Sequence, residues 1–162
     1  MNSEPCFFEI RPQAHLLLKW QLLALVLLVI VSSGCGNKLP YSIVPVHGSV
    51  TYEDGSKIPA DILMIAFEPT DFESGEGMVP PAGQTEVDIG NGAFHSVSSY
   101  RANDGLAVGR HRVLVAAFRG GKNGRRIPIP AVPLHYSQVS TTPIEVEITE
   151  ANQELEIKVA RP

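Results

Sequence analysis

Four histidines beyond residue 36 have the side chains best suited to acid–base or metal chemistry: His47, His95, His111 and His135. No two of them occur at the short spacing of H-x-H or H-E-x-x-H motifs, which bring two imidazoles to one metal ion. We therefore expect each histidine to lie on the solvent face of a strand or at a turn. The pattern predicts no catalytic residue, no metal ion and no cofactor.

Nucleophilic and phosphate chemistry also lack a sequence context. The serines at 96, 98, 99, 137 and 140 are not part of a G-x-S-x-G motif. Both cysteines, Cys6 and Cys35, lie in the first quarter of the chain, which indicates neither a disulfide framework nor a cysteine-based zinc site. The acidic segment 71–76 lacks the alternating ligands of a calcium-binding loop.

A basic segment stands out because the whole chain has a net charge of −4. Residues 119–126, RGGKNGRR, carry Arg119, Lys122, Arg125 and Arg126 among glycines. Such a loop is typical of a contact with anions, which here means phospholipid head groups, wall polymers or an acidic partner. A soluble hairpin tip without a ligand has the same composition, so both interpretations stay open.

A short apolar segment near the N-terminus precedes these residues. Residues 22–31 are ten consecutive apolar side chains, whereas a bilayer span needs about 20; ten is typical of the apolar core of a signal peptide. Ser32, Ser33 and Gly34 then lead directly into Cys35. This arrangement resembles the lipobox of bacterial lipoproteins, although Ser32 stands where that pattern usually has Leu. An uncleaved signal anchor is the alternative.

The lipobox resemblance implies a chemical fate for Cys35, which is acylation after cleavage of the preceding peptide. The chain would then comprise a lipoprotein signal peptide at 1–34, a lipidated tether at 35–43 and a domain at 44–160. Each buried methylene contributes about 0.8 kcal/mol of membrane affinity, so several acyl chains hold a protein stably. We expect a protein anchored by lipid on the extracytoplasmic side of a membrane in the cell envelope. The net charge predicts no nucleic-acid partner.

The remainder of the chain alternates apolar and polar residues with the period of β-strands. Seven strands are predicted, at 44–52, 62–68, 84–89, 93–98, 109–118, 144–149 and 154–159. Asp54-Gly55, segment 90–92 and Asn152 are the expected turns. Segment 62–68 is apolar on both faces and is therefore expected in the centre of a sheet. The fold class is all-β, a single seven-stranded antiparallel β-sandwich preceded by an N-terminal signal helix.

Four motifs occur in an order that points to a family: HGSVTYEDGSKIP at 47–59, GNGAFHS at 90–96, NDGLAVGRHRVLV at 103–115 and IPAVPLHYSQVSTTPIEVEI at 129–148. Together they resemble small bacterial lipoproteins with a carboxypeptidase regulatory-like domain, a transthyretin-type sandwich. The resemblance covers about residues 45–159. It implies a fold and an extracytoplasmic address, but it brings no activity, because a sandwich of this kind serves many functions.

Three functions compete on this basis. The leading hypothesis is a membrane-anchored, non-catalytic sandwich that is a structural or protein-interaction module, with an unknown envelope protein or wall polymer as its partner. The alternative is a small-ligand or glycan-binding module, for which Phe72, Tyr100 and Tyr136 are the candidate exposed aromatic platforms. The least favoured is a hydrolase of the 5-hydroxyisourate type, because its C-terminal Tyr-Arg-Gly-Ser motif is absent from a chain that ends EIKVARP.

Overall fold

The computed structural model describes residues 39–71 and 78–162. The predicted signal helix, Cys35 and Phe72 therefore lie outside the described residues. Ten β-strands, rather than the seven predicted, occur in this part of the chain. In chain order they are β1 (Ile43–Val44), β2 (Val46–Tyr52), β3 (Ile62–Pro69), β4 (Gly83–Val87), β5 (Ala93–Phe94), β6 (Leu106–Ala107), β7 (Gly109–Gly120), β8 (Arg126–Pro128), β9 (Glu145–Ile148) and β10 (Gln153–Val159).

The only helical segments in the described ranges are two short 3-10 helices, Lys122–Gly124 and Leu134–Ser137. No helix within those ranges has the length and apolar character that crossing a bilayer requires. The all-β prediction is confirmed for this part of the chain.

The strands form three sheets. The largest has the order β4-β3-β7-β8, with β9 also pairing with β7. A second sheet has the order β10-β2-β5, and β1 pairs with β6 in a third. Apolar side chains of the two larger sheets form one core, in which the Phe67 and Phe94 ring centroids lie 6.1 Å apart. β3 lies between β4 and β7, so the prediction that segment 62–68 is central in a sheet is confirmed.

The pairing of the C-terminal strand differs from the predicted antiparallel arrangement. β10 runs parallel to β2, with Gln153 opposite Val46 and Val159 opposite Tyr52. The last two strands do not pair with each other, because β9 joins β7 in the other large sheet. Each of these strands has one apolar face, and the turn at 149–152 carries the chain from one sheet edge to the other. The predicted strand 93–98 is shorter than expected, since only Ala93–Phe94 forms a strand.

Two ends of the domain can be defined along β7, whose twelve residues extend over about 36 Å. The end of β7 at Gly109 is called the N-terminal pole. There the Val108 N–H donates to Ser42 O (2.9 Å), and the Asn152 N–H donates to Pro45 O (2.6 Å). The opposite end, where β7 ends at Gly120 and turns into β8, is called the hairpin pole. There the Gly120 N–H donates to the Asp61 carboxylate (2.9 Å). The described chain thus begins at one end of β7, and its basic hairpin lies at the other.

Candidate functional site

The tip of the basic hairpin is set by its own backbone. Phe118 pairs with Pro128 and Gly120 with Arg126 across β7 and β8. The Gly121 N–H donates to Arg125 O at 2.7 Å and closes the turn. Asn123 and Gly124 adopt positive φ angles of 62° and 71°, which asparagine and glycine tolerate best. The sequence KNG therefore specifies a tight reversal, with the basic residues arranged around it.

Three of the four predicted cations at the hairpin have no acidic partner among the residues that the structure describes. Arg119, Lys122 and Arg125 are exposed, and no ion pair joins them to an acidic side chain in the described ranges. Arg126 differs, because its Nη2 lies 3.4 Å from Glu86 Oε2 and its Nη1 lies 3.4 Å from Met64 Sδ. The structure thus divides the predicted loop into three unpaired cations and one paired arginine.

Several acidic groups near the hairpin are occupied by local hydrogen bonds. Asp61 accepts from the Gly120 N–H, and Asp88 accepts from the Gly90 N–H at 2.8 Å. Asp54 accepts from the Ser56 N–H at 2.9 Å and lies 2.9 Å from Arg161 Nη2. These bonds hold the carboxylates at the turns, and none of the three forms an ion pair with Arg119, Lys122 or Arg125. A region of unbalanced positive charge results on a domain that is acidic as a whole.

The pKa of Asp54 reflects this arrangement. Hydrogen bonds from the Ser56 hydroxyl and backbone N–H, followed by the Arg161 guanidinium, lower the pKa of Asp54 from 3.8 to about 2. The same guanidinium lies over the Tyr52 ring, 4.4 Å from its centroid. Arg161 is therefore engaged on two sides and belongs to the scaffold of the hairpin pole.

An apolar groove of about 240 Å³ lies beside the hairpin. Its lining includes Phe118, Pro128, Ile129, Val132 and Leu134. Leu134 is 74% exposed, although leucine is usually among the buried residue types. The sequence pattern did not reveal the groove, because four of these five residues come from the segment 128–134, which has no strand or helix periodicity.

The groove adjoins both the charged hairpin and the outer face of the large sheet. A second recess, lined by Arg119 and Asp61 among others, shares Ile129 with the groove. On the other side, Ala116 and Phe118 continue onto the sheet face opposite the core. That face is half-buried and apolar on β3 and β7, where the cross-strand pairs are Ile62 with Phe118, Met64 with Ala116, and Ala66 with Leu114.

His111 contradicts the expectation that every histidine faces solvent. Its side chain is 0% exposed, and its Nε2 lies 2.8 Å from Ala107 O. Its Nδ1 has no hydrogen-bond partner among the described residues. Burial lowers the pKa of His111 below its usual value. The alternation of His111 with Val113 and Val115 was the sequence signal for an inward orientation.

The other candidate side chains do not converge. His95 and His135 are exposed, and His47 is half-buried. No three His, Cys, Asp or Glu residues in the described ranges are positioned to hold a metal ion. Tyr100 is exposed as expected, but Tyr136 is only 5% exposed, because it packs in the core, where its hydroxyl accepts from the Ala160 N–H. The prediction of an exposed Tyr136 was therefore wrong.

Comparison with known proteins does not assign this chain to a family. No protein-family model matches the chain, and neither a curated protein nor a solved structure matches it. The function must therefore be argued from the hairpin pole and from the sequence around Cys35.

Proposed function

We propose that this chain is a membrane-anchored extracytoplasmic lipoprotein whose β domain is a non-catalytic protein-interaction module. Its fold would be the transthyretin-type sandwich of carboxypeptidase regulatory-like domains, held to the membrane by lipid on Cys35. The observation that carries the proposal is the separation of the N-terminal pole from the hairpin pole. An anchored module needs an attachment end and a presenting end, and the two poles would supply them.

The dimensions support this arrangement. Residues 36–42 separate Cys35 from β1, and seven residues span at most about 24 Å. β7 carries the chain a further 36 Å or so, from the N-terminal pole to the hairpin pole. A lipid on Cys35 would therefore keep the N-terminal pole close to the bilayer and present the hairpin to the space beyond.

The groove favours an interaction with a macromolecule over a small-ligand site. Its volume of about 240 Å³ is below the range of about 300 to 1,000 Å³ that is usual for ligand pockets. Its lining is mostly apolar, and the Ser137 hydroxyl already donates to Leu134 O at 2.8 Å. Few polar groups remain to orient a small molecule. The buried position of Tyr136 also removes one of the aromatic platforms that a glycan site would use.

Metabolic labelling with a radioactive fatty acid tests the anchor. We expect label on the wild-type chain, loss of label in Cys35→Ala and retention of label in the matched control Cys6→Ala. Label that persists in Cys35→Ala would contradict the proposal, because no other cysteine follows residue 35. Crosslinking from the hairpin pole in the native envelope tests the interaction role. We expect an envelope protein to be crosslinked from Asn123 but not from Glu150, which lies at the N-terminal pole.

A further inference from the structure

We infer that the hairpin pole binds an acidic protein segment that places one apolar side chain in the groove beside β8. This inference deepens the proposed interaction role and rests on it, but it does not depend on the lipidation of Cys35. The site it assigns consists of Arg119, Lys122 and Arg125 together with the groove around Phe118 and Leu134.

The charge of the partner follows from the unpaired cations. Arg119, Lys122 and Arg125 surround one turn. The neighbouring Asp54 pairs with Arg161, and Asp61 accepts from the Gly120 N–H beside Arg119 without forming an ion pair with any of the three cations. Three cations without an ion pair among the described residues, with the Asp61 carboxylate beside them, leave an excess of positive charge that attracts an anionic partner and repels a basic one. The partner is therefore acidic where it contacts the hairpin.

The apolar part of the partner follows from the groove. Leu134 and Ile127 are exposed at 74% and 46%, and Ile127 is the cross-strand partner of Arg119. Of these two, Leu134 lines the groove, and an exposed apolar side chain in a preformed groove is typical of a surface that receives an anchor residue. Since Arg119 and the groove share Ile129 as a neighbour, acidic residues that flank such an anchor would reach the cations.

Strand addition to the edge of β8 does not explain the site. The Ile129 N–H donates to Ala117 O, so the backbone of Ile127 also faces β7 and that of Pro128 faces the open edge. Proline has no N–H to donate, and it blocks the ladder that an added strand would need. Side chains, not a β-ladder, must therefore provide the recognition.

A lipid surface or a simple polyanion fits less well. A polyanion would use the cations but leave the groove empty. The groove holds roughly one or two side chains, which suits an anchor residue better than paired acyl chains. An acidic protein segment uses both halves of the site.

Fluorescence anisotropy with the full chain in a nonionic detergent tests the inference. The first probe is a labelled nine-residue peptide of aspartate and glutamate with one central phenylalanine, and the second has alanine at that position. We expect the phenylalanine peptide to bind about tenfold more tightly, because only it fills the groove. Inorganic polyphosphate and phosphatidylglycerol vesicles should compete weakly. Equal binding of the two peptides, or stronger binding of polyphosphate or of the vesicles, would overturn the inference.

Paired variants separate the two halves of the site. Lys122→Gln with Arg125→Gln should weaken both peptides by about tenfold, whereas the control Arg101→Gln, an exposed cation away from the hairpin, should change neither. Leu134→Ser should remove the preference for phenylalanine, and Val108→Ser at the N-terminal pole should preserve it. Matching thermal unfolding curves verify that the variants are folded. A preference that survives Leu134→Ser would overturn the inference, whereas fatty-acid labelling separately decides the anchor.

Discussion

The His111 imidazole lies inside the core with its Nε2 2.8 Å from the carbonyl oxygen of Ala107. Ala107 belongs to β6 and pairs with Ile43 of β1, which is the first strand of the described chain. The histidine thus connects the long strand β7 to the segment through which the chain enters the domain. Asp71 and Glu68 are the acidic groups whose charges oppose the effect of burial on the pKa of His111.

Acidification is expected to destabilise the fold through His111. An unfolded histidine has a pKa of about 6.5, and burial lowers the pKa of His111 in the folded state. Between these two values only the unfolded chain binds the proton, so the free energy of unfolding decreases as the pH falls. Above about pH 6.5 both states are neutral and the effect is absent. Each unit of pKa depression corresponds to about 1.4 kcal/mol.

Urea unfolding across this pH range measures the effect. His111→Gln supplies an amide N–H near Ala107 O in place of the ring nitrogen, but it cannot titrate. It should therefore flatten the pH dependence of the free energy of unfolding between neutral pH and the folded-state pKa. His95→Gln removes an exposed histidine and should leave the dependence unchanged. A wild-type curve as flat as that of His111→Gln would contradict the assignment.

Gly48 is expected to tolerate no side chain. A Cβ at this position would overlap the carbonyl oxygen of Leu155, the residue opposite Gly48 in the parallel pair of β2 and β10. Gly48→Ala should therefore separate these strands and reduce the free energy of unfolding by about 3 kcal/mol. Gly55, with φ of 78° and open space around it, is the comparison. Gly55→Ala should cost only about 1 kcal/mol, from backbone conformation alone. Chemical denaturation of the two variants measures both values, and equal losses would contradict the close approach at Gly48.

Asp54 is expected to titrate near pH 2, with Ser56 as the main cause. Its folded-state pKa of about 2 lies below the ordinary value of 3.8, so its stabilising contribution is complete above that value and is lost as the pH falls through 2. Ser56→Ala should raise the pKa of Asp54 more than Arg161→Gln does, and the distant Arg101→Gln should not change it. Carbon-13 NMR titration of the carboxyl group distinguishes these outcomes. A larger rise of the Asp54 pKa in Arg161→Gln would contradict the assignment of Ser56 as the main cause.

The local features of the fold were readable from single segments. The alternation in 46–52 assigned the buried face of β2, and Asp54-Gly55 specified a turn in which the Gly55 N–H donates to Tyr52 O at 2.9 Å. These features depend on residues that are close in sequence. The parallel pairing of β10 with β2 was not readable, because an alternating strand shows which face is buried but not which neighbour it will pair with.

The candidate site was only half predictable for a related reason. Four basic residues within eight positions mark the hairpin in any reading of the sequence. The groove depends instead on how the segment after β8 is held. The Tyr52 hydroxyl donates to Ala131 O at 2.6 Å across 79 residues, and the Thr142 hydroxyl donates to Val113 O at 2.6 Å. Such long-range bonds have no local pattern, so the exposure of Leu134 became visible only in the folded domain.

The orientation of the domain provides the last prediction. If lipid on Cys35 anchors the N-terminal pole, a probe at Glu150 should lie closer to the bilayer than a probe at Asn123 on the hairpin tip. Glu150 is in the turn before β10, two residues from Asn152, whose N–H donates to Pro45 O. Asn123→Cys leaves all four hairpin cations intact, and Cys6→Ser removes the only other cysteine apart from Cys35.

Quenching of a thiol-linked fluorophore by nitroxide-labelled lipids measures this difference. We expect clearly stronger quenching for Glu150→Cys than for Asn123→Cys, because β7 separates the two poles by about 36 Å. The opposite result would mean that the basic hairpin lies on the anchoring bilayer through attraction to anionic lipids. High salt separates the two cases, since it shortens the Debye length to about 3 Å at 1 M. Attraction to the bilayer would weaken and quenching of Asn123→Cys would fall, whereas an orientation set by the tether would not change.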